Sequence, residues 1–173
     1  MLRRRIDDEF TWVVDTGPLD RGPDISPYIG VRHERADKVF SECIELFDSG
    51  FSATGGSNLG YVLGHGFRTW HEPATPEALV AEIEKGQEVL AQFLSLARMP
   101  EIYNIRGAKE PGYHFKLAAI YFVLDDYARV REWLAEGERT DCRVQDSVCE
   151  QFRRFKRNLE RRMTSSSATA IDP

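Results

Sequence analysis

Long apolar runs are missing from this sequence. The longest, Leu117 to Leu124, falls far short of the ~20 residues that span a bilayer. The opening Met1-Leu-Arg-Arg-Arg-Ile-Asp-Asp-Glu9 also lacks the apolar stretch of a secretory signal, so the sequence predicts a cytoplasmic protein that makes no use of a membrane. Cysteine is scarce. Cys43, Cys142 and Cys149 are odd in number and none are spaced C-x-x-C, which excludes a disulfide scaffold and predicts three small apolar thiols in a reducing compartment. Gly55-Gly56 and Gly64-His-Gly66 have no Lys-Ser/Thr after them and no helix close behind, so nucleotide binding is excluded. His33, His65, His71 and His114 contain no H-x-x-x-H pair, and neither a metal nor another cofactor is expected. Charge of one sign is also lacking: the net charge of −5 gives no global attraction for nucleic acid.

What is present is an ordinary globular composition, 42% hydrophobic and 29% charged over 173 residues. That length buries roughly 70% of the unfolded chain's surface without staples. Phe10 to Asp15 is aromatic and β-branched and stops at Gly17-Pro18, which predicts a strand. Alternation from Ile25 to Arg32 predicts a second strand, with Pro27 at a sheet edge because proline cannot donate to a ladder. Ala36, Val39, Phe40, Cys43, Ile44 and Phe47 predict a helix over 34–48. Thr54 to Asn58 reads as a turn and 59–64 as a third, glycine-bare strand able to face a helix or a ligand. Thr75-Pro76-Glu77 starts a long helix reaching Pro100. A helical pattern follows from Gly112 to Gly137, broken at Asp125-Asp126, and a last helix carries Val144, Val148, Phe152, Phe155, Leu159 and Met163 on one stripe. These elements predict an α+β domain over 1–164, with a small antiparallel sheet of about three strands on about five helices, and a mobile polar tail over 165–173.

Val13-Val-Asp15-Thr-Gly17 resembles the active-site loop of aspartic proteases, where paired carboxylates share a proton, and Val62-Leu63-Gly64 could supply that family's downstream element. The resemblance implies hydrolysis by Asp15 across a homodimer. Pro18 stands where the family has Ala or Ser, and a helix falls where it has strands. A strand-to-turn aspartate bonding its own backbone is the simpler reading. Residues 143–163 hold seven Lys or Arg against three acids. Arg153, Arg154, Arg157 and Arg161 point away from the apolar stripe, without the interleaved aromatics that stacking on bases would need. They read as a solvated face or as a dock for an acidic protein.

Gly112 to Gly137 resembles a single tetratricopeptide-type helix pair, a unit that in its family stacks into peptide-binding arrays. The Asp24-Ile-Ser-Pro-Tyr-Ile-Gly-Val-Arg-His33 strand, Trp70 with the Thr75-Pro-Glu-Ala-Leu79 helix start, and the Ala-rich helix pair are together similar to an uncharacterised family of small bacterial domains. Some of its members are suspected immunity or accessory proteins. The likeness spans 25–135, and the family has a helix and a strand ahead of the segment that starts here at Phe10, a departure that leaves open a shortened start and an unpaired sheet edge. It implies a binding protein with no catalytic residues. Trp12, Tyr28, Arg32, His33, Trp70 and His71 are of types enriched at interface hot spots, and several of them are expected to form one exposed or partly exposed patch for another protein. A small-molecule pocket over 59–64 is the other alternative.

Overall fold

The computed structural model describes residues 2–15, 25–44, 53–70, 75–109, 112–140 and 146–169, with side chains of the last stretch described from 149 to 165. The fold is α+β. Two compact units, each assembled from separated stretches of chain, comprise Met1–Glu34 with Phe51–Glu110 and Arg35–Gly50 with Pro111–Pro173.

The first unit is built on four antiparallel strands, β1 (Leu2–Arg5), β2 (Phe10–Asp15), β3 (Tyr28–His33) and β4 (Gly55–Asn58), in the order β1-β2-β3-β4. The β1–β2 turn is set by Asp7, whose carboxylate accepts the backbone N–H of Glu9 at 2.8 Å and of Phe10 at 2.7 Å. Register sorts the side chains. Leu2 faces Val14, Arg4 faces Trp12, Trp12 faces Val31 and Phe10 faces His33, all on one side; Val13 with Gly30 and Thr11 with Arg32 lie on the other.

Asn58 ends β4 and starts the short helix α2 (Leu59–Val62), its side-chain oxygen accepting from the Gly60 and Arg68 N–H groups at 2.9 and 3.1 Å. Thr75 caps α3 (Pro76–Ala91) through the Ala78 N–H, as the sequence predicts. Gly86 brings α3 close to the sheet: a Cβ there would sit 2.6 Å from Leu59 Cδ1 and 3.3 Å from Ile29 Cδ1. A 3-10 helix (Met99–Asn104) lays Ile102 on Gly55, where a Cβ would stand 3.2 Å away.

Several local expectations change. The glycine-rich segment 59–64 is helix and turn, and the strand lies one step earlier, at 55–58, because Gly55 and Gly56 leave room for Ile102 and the Tyr28 ring. Pro27 precedes β3 and marks no edge, since β3 lies between β2 and β4. The long helix stops at Ala91. The sheet has a fourth strand, β1, ahead of Phe10.

The second unit holds most of α1 (Glu34–Ile44), α4 (Tyr113–Val123), α5 (Tyr127–Thr140) and α6 (Asp146–Thr169). α4 and α5 form a hairpin turned at Asp125, whose φ of 58° is left-handed. Its core is aromatic. Phe115 meets Phe152 and Phe155 at 5.1 Å each, with Val39, Cys43, Val130, Leu134, Leu159 and Met163 around them. Asn158 donates to the Cys43 carbonyl at 2.9 Å and so ties α6 to α1. Helix α6 runs to Thr169, past the tail boundary expected at 165, because Thr164 and Ser165 hydroxyls bond back to Glu160 and Arg161 carbonyls instead of ending the helix. Cys43 is a free thiol, whereas Cys149 is disulfide-bonded, which corrects the expectation of three thiols.

Candidate functional site

The residues expected to share an exposed patch do not form one. Trp12 and Trp70 are 9% and 6% exposed, Arg32 and His33 6% and 1%; only Tyr28 is half-buried, and His71 lies outside the described residues. β2 and β3 are covered on both faces, so residue types common at interfaces are here structural. The His33 ring meets Phe10 edge-on at 4.9 Å, and the His33 backbone N–H donates to Thr54 Oγ1 at 2.8 Å. Arg32 pairs with Glu34 at 3.2 Å. Trp70 bridges to Ile25 under the Arg68 guanidinium, 4.7 Å from its ring.

Asp15 closes β2 opposite Tyr28, while Thr16 and Gly17 are outside the described residues. Val62-Leu63-Gly64 is helix end and turn. Among the described residues no three His, Cys, Asp or Glu side chains are grouped as metal ligands. Glu82, Glu136 and Glu138 hold their protons less tightly than usual, chiefly through hydrogen bonds from Lys85, Arg139 and Lys156. These are surface ion pairs on helices, not the desolvated pairings of a reactive cleft.

On α6, Phe152, Phe155, Leu159 and Met163 are buried and Arg153, Arg157 and Arg161 exposed, while Arg154 is half-buried. The three exposed arginines recur every four residues and so lie along one line. Lys156 and Arg162 are engaged by Glu138 and Glu42 at 2.6 and 2.7 Å. A cavity of about 430 Å³ opens in the same unit between Arg35, Lys38, Glu42, Asp125, Tyr127 and Arg162, with Glu42 held between Lys38 and Arg162.

The feature that combines apolar surface with backbone capacity is at the first strand. Among the described residues β1 pairs on one side only, with β2, and all four of its residues are exposed. Its outer edge therefore presents backbone N–H and C=O groups unmatched within the sheet. Beside it runs a groove of about 220 Å³ lined by Leu2, Arg3, Arg4, Trp12 and Val14 of the sheet and by Val80, Ile83, Glu84 and Gln87 of α3. Leu2 and Val80 are 70% and 53% exposed, two of the four large apolar side chains that lie open among the described residues. Of the six sequence candidates, Trp12 alone is in this groove. The others were missed targets for a physical reason: Leu2-Arg-Arg-Arg5 shows no alternation, and only the Asp7 turn hints at a hairpin. Comparison with protein-family profiles, curated proteins and solved structures finds no match to the chain.

Proposed function

We propose that the chain is a non-enzymatic protein-binding domain that takes an extended segment of its partner as a fifth strand along β1. The observation that supports this is the exposed outer edge of β1 beside the groove of Leu2, Trp12, Val14, Val80 and Ile83. Strand addition draws affinity from main-chain hydrogen bonds and specificity from pockets for alternate side chains, and the edge and groove supply one each. An immunity-like or accessory role, holding another protein instead of transforming a substrate, is the setting that the sequence likeness implies. The disulfide at Cys149 removes the cysteine support for a reducing, cytoplasmic compartment.

The test is selection of a random peptide library on the full chain, followed by amide chemical-shift mapping. Selected peptides shift the amides of 2–5 and the methyls of Val80 and Ile83. Peptides that shift other regions, or no binders at all, overturn the reading. The arginine line of α6 supports a second reading, a dock for an acidic protein surface, in which a triple Arg153→Glu, Arg157→Glu, Arg161→Glu variant abolishes binding with β1 unchanged.

A further inference from the structure

We infer that the cavity of about 430 Å³ in the second unit is a site for a free α-amino acid with an apolar side chain. No residue of the β1 groove lines it, so this site and strand addition stand or fall separately. Its walls divide by chemistry. Val39, Phe122 and Val123 supply apolar surface, and the Phe122 and Tyr127 rings lie 5.9 Å apart. Glu42 is held between Lys38 at 4.0 Å and Arg162 at 2.7 Å, a trio that is satisfied internally and keeps one net positive charge. Two charges are left over. Among the described residues neither Arg35, one turn ahead of Lys38 and Val39 on α1, nor Asp125, on the α4–α5 turn, has an ion pair, and they do not pair with each other.

The turn does not account for the Asp125 carboxylate. Asp125 is the one non-glycine residue with positive φ among those described, a conformation that glycine adopts at less cost. Helix α5 takes its cap from the next residue instead, Asp126, whose carboxylate accepts the Arg129 N–H at 3.1 Å. One Asp125 oxygen accepts the Tyr127 hydroxyl at 3.3 Å, and the second is left for a ligand.

A molecule that uses the whole lining carries a carboxylate, an ammonium and an apolar group. The carboxylate suits Arg35, whose planar fork matches it, with Lys38 on the same face of α1 and the surplus charge of the trio adding to the attraction. The ammonium suits Asp125, and the apolar group covers Val39, Phe122 and Val123. An α-amino acid combines the three, and the cavity lies in the size range of small-molecule sites.

The experiment titrates phenylalanine, N-acetylphenylalanine and phenylalaninamide into the full chain and follows the methyl signals of Val39 and Val123 by NMR. Phenylalanine shifts both and binds roughly two- to fivefold more tightly than either blocked form, the gain expected of one exposed ion pair. Arg35→Gln lowers the affinity for phenylalanine by the same factor and does not weaken phenylalaninamide. Asp125→Asn does likewise and does not weaken N-acetylphenylalanine, while asparagine keeps the left-handed turn. Equal binding of the three ligands, or a preference that neither variant alters, overturns the inference. N-acetylphenylalanine binding as tightly as phenylalanine marks a plain anion site and also overturns it. If no ligand moves the Val39 and Val123 methyls up to its solubility limit, the cavity is no site, whatever β1 binds.

Discussion

Cys43 is fully enclosed among the helices of the second unit, and its thiol is pushed up to about 11 by burial, with Glu42 adding to the effect and Arg162 opposing it. In the unfolded chain the same thiol ionises near its ordinary value of 9.0. Unfolding therefore releases a proton above that value, and the chain loses stability as pH rises from about 9 to 11, by on the order of 2 kcal/mol at pH 10.5. Denaturant midpoints of the parent and of Cys43→Ala at pH 8 and 10.5 check this: the alanine variant shows the smaller drop. Alkylation separates the cysteines further. In the unreduced, unfolded chain the Cys43 peptide is modified and the Cys149 peptide is not, until reductant is added. Gly137 is a different kind of constraint. A Cβ there would overlap the Phe152 ring and come within 3.1 Å of His114 Cβ. Alanine would be the better helix former by about 1 kcal/mol, but the ring is enclosed and cannot swing away, so Gly137→Ala is expected to destabilise by a net 1–2 kcal/mol in urea melts. At Gly86 the obstructing atom is the end of a flexible Leu59 side chain, and the same substitution costs less.

At the scale of elements, Asn58 is the joint between β4 and α2. Its oxygen accepts two backbone N–H groups, and its nitrogen donates to Ser26 Oγ and the Arg68 carbonyl at 3.1 and 3.0 Å. Asn58→Ala leaves these groups to find water and is expected to cost about 2–4 kcal/mol, read as a lowered denaturant midpoint with unchanged slope. Asn58 also shows why 59–64 misleads as sequence. Its alternation of large residues with glycine imitates a strand, while the cap that converts it to helix is a single side chain, bonded to Gly60 two residues on and held by Arg68 and Ser26, ten and thirty-two residues away. The α3 start is legible because Thr75 and Pro76 act within one turn, and the α6 stripe because four buried residues recur at helical spacing. The strand β1 is not, because arginines carry little strand preference and the element exists only through pairing with Trp12 and Val14. The candidate site shares that fate. Its groove joins Leu2 to Val80, a pairing set by tertiary packing alone, whereas the side chains picked for their interface chemistry are consumed by a sheet covered on both sides.

Over the whole molecule, the edge of β1 left open among the described residues is where unwanted strand pairing would start. Exchanging Arg3 and Arg5 for valine leaves an exposed Leu-Val-Arg-Val-Ile edge with strong strand preference and little charge. The Arg3→Val/Arg5→Val variant is expected to show an apparent mass that climbs with concentration in light scattering, while the parent chain does not gain mass in this way. The interleaving of the two units has a consequence for the ribosome. Helix α1 leaves the exit tunnel about seventy residues before α4 begins, so at typical elongation rates Val39 and Cys43 wait several seconds for Phe115 and Phe155 to arrive. Through that interval the nascent chain carries an amphipathic helix with no core to cover it, and a chaperone that shields such faces would find its substrate there.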